Sequence, residues 1–238
     1  MLEFKSVIER IEDVTDRIRN FEFQVPKDLD WKFIPGQFMS IVAPLPDGTG
    51  HKKRAYSIAS SPQEGRTLKL TITRVEGGLC STYMHRLKVG DPVEFHGPYG
   101  KFVIKGTLPE RLVFVSVGTG VAPFRSMIMD LYARGVAPQS VVLYHGNRHE
   151  DQILYDAEFK TLAAKYPSFT YRPCISRPKN PDWMGRKGYV QENVKADALK
   201  PAGTHVYICG LQAMIDAVCG ELHGASFPPE AVHFEKYD

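Results

Sequence analysis

Cysteine is scarce in this chain, tryptophan scarcer, and no stretch of it is both long and apolar. The four cysteines, Cys80, Cys174, Cys209 and Cys219, stand far apart with no Cys-x-x-Cys pair, which argues against a disulfide framework and against an iron–sulfur or zinc centre. His145 and His149 lie four apart but straddle Gly146 in an expected loop, so no metal site is expected there. No segment reaches the length of a membrane span, and Met1-Leu2-Glu3-Phe4-Lys5 carries charge where a secretory signal carries an apolar core. The expected location is therefore cytoplasmic, without membrane insertion. With 30 Lys and Arg against 27 Asp and Glu, the net charge is +3, and the cations are not gathered into the blocks of a nucleic-acid arm. A nucleic-acid partner is not expected.

What is present is the composition of a soluble globular protein, 43% hydrophobic and 24% charged, in 238 residues that suffice for one large domain or two small ones. Up to about residue 100 the apolar positions come in short runs divided by Pro and Gly. They predict strands over 4–11, 18–25, 37–43, 53–59, 67–75 and 92–95, the pattern of an antiparallel β-barrel. The turn-rich stretch at 106–110 marks the boundary, giving domains 1–105 and 106–238. Beyond it, 111–118 is a continuous apolar run, as a strand covered on both faces requires. Further strands are predicted at 140–145, 168–175 and 204–209, alternating with helices, so the second domain is expected to be α/β with a doubly wound parallel sheet.

Three stretches carry candidate chemistry. Arg54-Ala55-Tyr56-Ser57-Ile58-Ala59-Ser60-Ser61 combines a permanent cation, an aromatic face and several hydroxyls; in a strand, Arg54 and Tyr56 share one side and Ser57 faces the other. A guanidinium can fork onto phosphate, a phenol ring can stack on a conjugated ring, and a hydroxyl can bond a ring nitrogen, a set suited to a flavin nucleotide. An ordinary strand with one Arg is the plainer alternative. Gly77-Gly78-Leu79-Cys80-Ser81 opens a stretch of helical spacing, and a helix start presents open backbone amides to phosphate, although such starts are also common caps. Gly118-Thr119-Gly120-Val121-Ala122-Pro123 stands at the end of the apolar strand, where open α/β sheets bind ligands; it lacks the third glycine of the common dinucleotide fingerprint and reads equally as a tight turn.

These motifs, with Cys209-Gly210-Leu211 and the ending Glu235-Lys236-Tyr237, occur in the order seen in the ferredoxin–NADP reductase superfamily, which the chain resembles over nearly its whole length. The resemblance implies an FAD-binding barrel followed by an NAD(P)-binding α/β domain, in an enzyme that moves hydride between NADP(H) and flavin N5. It assigns Arg54 to the flavin pyrophosphate, Tyr56 to stacking on the isoalloxazine and Ser57 to a hydrogen bond near N5, with Gly78, Cys80 and Ser81 completing the pyrophosphate site. Gly118, Thr119, Gly120 and Pro123 become the nucleotide phosphate loop, with Cys209 beside the nicotinamide. In plant-type members the last Tyr covers the flavin and the Glu two residues earlier assists proton and electron handling, which makes Tyr237 and Glu235 candidates, although Asp238 follows the Tyr here. Arg148, Tyr155, Arg177 and Arg186 resemble positions that receive the extra phosphate of NADP(H); similar loops in NADH-using relatives leave NADH open. The expected partner is ferredoxin, flavodoxin or another electron carrier on a separate chain. Alternatives are an NADH-dependent reductase component of an oxygenase, a free-flavin reductase, and a flavin-binding docking subunit of a larger electron-transfer complex.

Overall fold

The computed structural model describes residues 2–237. The chain forms two compact units, Met1–Ile104 with Ala122–Arg134, and Lys105–Val121 with Gly135–Asp238.

In the first unit, β1 (Leu2–Asp13), β2 (Ile18–Gln24), β3 (Phe38–Pro44), β4 (His51–Ser57), β5 (Thr67–Thr73) and β6 (Pro92–Tyr99) make an antiparallel sheet in the order β4-β3-β6-β1-β2-β5. The sheet curls until its ends meet: Ile58, just past β4, bridges Leu70 of β5, and the Ala59 amide donates to the Lys69 carbonyl at 2.9 Å. The bridge ties the two end strands together just past β4. Alternation supplies the core, with Phe4, Ser6 and Ile8 of β1 buried and their immediate neighbours exposed, and with Phe21, Phe23, Leu70 and Phe95 filling the interior.

Strand β4 breaks that alternation. His51 to Ala55 are exposed on both faces, and four of those five residues are basic. Charge on an exposed strand resists pairing with a second chain, and the same exposure leaves Arg54 within reach of a ligand. Helix α1 (Leu79–Arg86) packs beside β3, β4 and β5.

Helix α2 (Ala122–Ala133) lies past the boundary expected at residue 105, yet it belongs to this first unit. Ten of its twelve residues are buried, Arg125 and Asp130 among them, so its charges need partners. They find them in the segment after β4: Arg125 Nη1 donates to the Ala59 carbonyl at 2.7 Å and to Glu64 Oε1 at 2.8 Å, Ser126 Oγ donates to the Ser60 carbonyl at 2.6 Å, and Gln63 Nε2 donates to Asp130 Oδ1 at 3.1 Å.

The second unit is a parallel sheet of β7 (Arg111–Val117), β8 (Ser140–Asn147), β9 (Phe169–Ile175), β10 (Arg186–Lys187), β11 (Thr204–Gly210) and β12 (Val232–Lys236), ordered β10-β9-β8-β7-β11-β12. Helix α3 (Asp156–Lys165) covers one face, where the Phe159 ring lies 5.3 Å from that of Tyr171. Helices α4 (Val190–Ala196) and α5 (Gln212–Gly224) cover the other, against Val113, Val115, Val206 and Ile208. From β7 the chain steps outward through β8, β9 and β10, then crosses back to β11 on the opposite side of β7. The order therefore reverses at the carboxyl end of β7, the place where such sheets bind ligands. The ending 235–237, which reads as a chain end in isolation, is tied into the sheet: β12 pairs with β11, and the Tyr237 amide donates to the Gly210 carbonyl at 2.9 Å. Asp238 lies outside the described residues. Among the described residues no helix is long and apolar enough to cross a membrane.

Candidate functional site

In the first unit the expected flavin residues fall on β4 and α1. Arg54 is exposed, Tyr56 half-buried and Ser57 buried, in register with Ile41, Met39 and Phe38 of β3. The Cys80 thiol donates to the Lys52 carbonyl at 3.4 Å, so the first turn of α1 is fastened to β4 two residues before Arg54. Burial pushes the Tyr56 phenol above its ordinary range, with Cys80 adding to the rise and the Arg54 cation opposing it. Burial likewise raises the Cys80 thiol, against the Lys52 and Arg54 cations. Arg54, Tyr56 and Cys80 are thus mutual neighbours, and Lys52 joins them. Sequence reasoning missed Lys52, although period-two alternation on β4 puts it on the Arg54 side.

The start of α1 is tightly built. A Cβ on Gly78 would fall 2.7 Å from Ser81 Oγ and 3.1 Å from the Val75 carbonyl, so no side chain fits. Ser81 is buried, and its hydroxyl donates to the Gly78 carbonyl at 3.1 Å while accepting from the Val75 amide at 3.1 Å. That hydroxyl shapes the turn. Leu79, Cys80 and Ser81 stand in the first helical turn, whose amides have no partner within the helix.

In the second unit, β7 runs into a tight turn at Gly118–Val121. Gly118 has φ +50°, a left-handed conformation that favours glycine, and a Cβ on Gly120 would lie 2.3 Å from the Cys209 carbonyl oxygen. Beneath this turn the register aligns one residue from each of four strands: His145 of β8, Ser116 of β7, Cys209 of β11 and Glu235 of β12. The first three are fully buried. Burial pushes the Cys209 thiol well up, the Glu235 charge pushes the same way, and a hydrogen bond from Tyr237 opposes them. Cys209 is therefore a neutral thiol, and Tyr237 is held against it.

Four further expected residues fall in three settings. Arg148 and Arg177 are exposed on adjoining loops joined by a backbone hydrogen bond, Arg177 amide to Arg148 carbonyl at 2.8 Å, and among the described residues neither guanidinium has an acidic partner. Arg186 is committed elsewhere: Nη2 meets Asp197 Oδ1 at 2.9 Å and Nη1 meets Asn193 Oδ1 at 3.3 Å. Burial alone would raise the Asp197 carboxyl, but hydrogen bonds from Tyr144 and Arg186 and the Arg172 and Arg186 charges hold it below its ordinary value. Tyr155 opens α3 in the left-handed region at φ +58°, a costly conformation for a bulky residue, with its ring edge-on to Phe159 at 6.4 Å.

Two domain families match the chain, and the second of them takes in α2. Residues 5–104 match the oxidoreductase FAD-binding domain family and residues 114–220 the oxidoreductase NAD-binding domain family. A ferredoxin–NADP reductase B of Sorangium cellulosum is 36% identical over 99% of this chain and 98% of its own length. The chain belongs to the ferredoxin–NADP reductase family. It is an NAD(P)H-dependent flavoprotein oxidoreductase with FAD and a nicotinamide dinucleotide as its cofactors. The reductase component DmpP of phenol 2-monooxygenase from Pseudomonas is 34% identical over 90% of this chain, which spans only 60% of that relative. A crystal structure of a ferredoxin NADP+ reductase from Neisseria gonorrhoeae with bound FAD and NADP has the same fold, with a TM-score of 0.85 at 21% identity over 98% of each chain. The reductase's own geometry fits both cofactors. The Gly78 turn and open first-turn amides beside Arg54 suit a pyrophosphate, and in the Gly118–Val121 turn Gly120 lies so close to the Cys209 carbonyl that no side chain fits there.

One residue of the row beneath that turn has a measurable signature. Burial holds His145 down at about 4, against the weaker raising effects of its Gly118 contact and of Asp156. The unfolded chain binds the proton near the ordinary value of 6.5 while the folded reductase refuses it, so stability falls as pH drops from 6.5 toward about 4 and is unaffected above. His145→Gln removes that part. Urea unfolding at pH 7 and pH 4.5 is expected to show the wild type losing about 2 kcal/mol more than the variant over this interval.

Proposed function

We propose that this reductase carries electrons from NADPH to a separate one-electron carrier of ferredoxin or flavodoxin type. The observation that carries the NADPH preference is the pair Arg148 and Arg177, two exposed guanidiniums on loops at the carboxyl ends of β8 and β9 without an acidic partner among the described residues. A 2′-phosphate is the dianion such a pair would grip, since guanidinium binds phosphate oxygens in bidentate fashion. Arg186, which shares the Asp197 carboxylate with Arg172, is left out of this clamp. The full-length similarity to a protein named ferredoxin–NADP reductase B supports the choice of carrier.

Bound FAD supplies the conversion between two-electron and one-electron chemistry. The chain's own residues do the rest. Arg54, Lys52 and the first-turn amides of α1 hold the flavin pyrophosphate, Tyr56 packs on the ring and Ser57 offers a hydroxyl to its reacting edge. The Gly118–Val121 turn, with Pro123 opening α2, takes the dinucleotide phosphates. Cys209, a neutral thiol, shapes the nicotinamide end, and Tyr237 with Glu235 closes it. A second reading, the NADH-dependent reductase component of an oxygenase, is favoured by the 34% identity to the phenol 2-monooxygenase reductase.

Anaerobic titration of the FAD-loaded protein separates the two. NADPH is expected to bleach the flavin absorbance at lower concentration than NADH, and the reduced protein to pass electrons to ferredoxin. The double change Arg148→Gln with Arg177→Gln is expected to raise KM for NADPH on the order of 10²-fold, the size of two lost charge-assisted hydrogen bonds, while KM for NADH moves by no more than about twofold. Equal effects on both nucleotides would favour the oxygenase reading.

A further inference from the structure

We infer that His145 is a positioning residue for nucleotide binding, aiming the Gly118–Val121 turn at the phosphates by holding the Gly118 carbonyl from below. The inference rests on the proposed reading of that turn as the nucleotide phosphate loop. His145 is fully buried in β8, and its Nε2 lies 3.2 Å from the Gly118 carbonyl oxygen. A carbonyl only accepts, so Nε2 carries the proton, and a neutral ring then leaves Nδ1 as a bare acceptor. Among the described residues Nδ1 has no hydrogen-bond partner.

A buried acceptor without a partner is costly, and the same face of β8 is otherwise apolar at Val141 and Leu143. A leucine at 145 would continue that face and avoid the cost. What it would not do is bond Gly118. In a trans peptide the carbonyl and the following amide point in opposite directions. Drawing the Gly118 carbonyl toward β8 therefore turns the Thr119 N–H away from the sheet, outward, where a phosphate oxygen can accept from it. On the β11 side the turn is confined by the approach of Gly120 to the Cys209 carbonyl, which would lie 2.3 Å from a Cβ there. His145 supplies the matching restraint on the β8 side, at the one residue of the turn with φ in the left-handed region, Gly118 at +50°. The two histidines that the sequence sets four apart do separate tasks, since His149 Nδ1 meets the Arg177 carbonyl instead.

The test uses the full chain loaded with FAD. Nitrogen-15 NMR of the wild type at neutral pH is expected to find His145 neutral with its proton on Nε2; a proton on Nδ1, or a cationic ring, would overturn the inference without touching the nucleotide reading. His145→Leu is expected to raise KM for NADPH and NADH alike by roughly three- to tenfold, the size of one net hydrogen bond, with kcat within about twofold. His145→Gln, whose amide nitrogen can donate to the same carbonyl, is expected to restore most of that loss. Unchanged KM in the Leu variant, or an equal rise in both variants, would overturn the assignment of His145 alone. Failure of the wild type itself to be reduced by either nucleotide would overturn the reading of the turn and the inference with it. Should the Leu variant not fold, the wild-type tautomer and the Gln kinetics still decide.

Discussion

Replacing Arg125 with Met is expected to destabilise the protein by about 2 to 4 kcal/mol, the size of two hydrogen bonds from a charged donor whose acceptors stay behind. Arg125 is only 4% exposed, and its Nη1 bridges the Ala59 carbonyl and Glu64 Oε1. Methionine fills the volume, but it leaves the Glu64 carboxylate with Lys69 at 2.9 Å and the Ser61 amide at 2.8 Å as its remaining partners, and it strands the Ala59 carbonyl. Such a loss is a large share of the 5 to 15 kcal/mol typical of a folded domain, and at about 2 to 4 °C per kcal/mol it lowers the thermal midpoint by roughly 10 °C. Arg125→Lys keeps the charge without the planar fork and is expected to fall between. The pH dependence provides an independent check. Burial would raise Glu64, but Arg125, Lys69 and the Ser61 amide hold it below 4.5, so this pairing stabilises the wild type above that pH and is lost as pH falls through the lowered value. In the Met variant the acid-side loss is expected to shrink. A midpoint within about 2 °C of the wild type would show that the Arg125 contacts contribute no net stability.

How far the sequence foretells all this depends on whether a feature is local. Period-two alternation over 4–11 and 18–25, and the unbroken apolar run at 111–118, are properties of neighbouring residues, and the fold class of each half is legible from them. So was the chemistry gathered in Arg54-Ala55-Tyr56-Ser57, because strand alternation sorts those side chains without outside help. Features made by register were not legible. Val232–Lys236 has no strong strand composition, and it becomes a strand because β11 offers it an edge, from Val206 facing Val232 to Gly210 facing Lys236. The polar row beneath Gly118 joins positions 116, 145, 209 and 235, which nothing in the linear pattern relates. Arg186 reads as a phosphate cation by its place in a loop; its ion pair with Asp197, shared with Arg172 and outside the helical i, i+4 spacing, is tertiary. The clue to α2 was present but unread. A helix apolar at most positions that still carries Arg125 and Asp130 must find counter-groups, and these lie in the segment after β4.

The largest kinetic effect is expected from Ser57→Ala, which should slow flavin reduction by NAD(P)H by about 10² to 10³, the loss seen when one positioned donor is removed from a reacting centre. Ser57 is 5% exposed at the end of β4, and its backbone is fixed against β3: Phe38 faces it there, and the next amide, Ile58, donates to the Gln37 carbonyl at 2.9 Å. Through Ala59 and Ser60 the same segment is gripped by Arg125 and Ser126 of α2. A hydroxyl held so closely costs little further entropy when it meets a ligand atom, which is the condition for a positioned group to act on a rate. Flavin affinity should change much less, because the pyrophosphate is assigned to Arg54, Lys52 and the α1 amides, none of which the substitution touches. Ser57→Thr keeps the hydroxyl and is expected to recover part of the rate. Stopped-flow mixing of the FAD-loaded variants with NADPH measures the rate, and flavin fluorescence on dilution measures the affinity. Equal reduction rates in wild type and Ala variant would remove Ser57 from the chemistry. A variant that releases its flavin but reduces normally when resupplied would make Ser57 a binding residue instead.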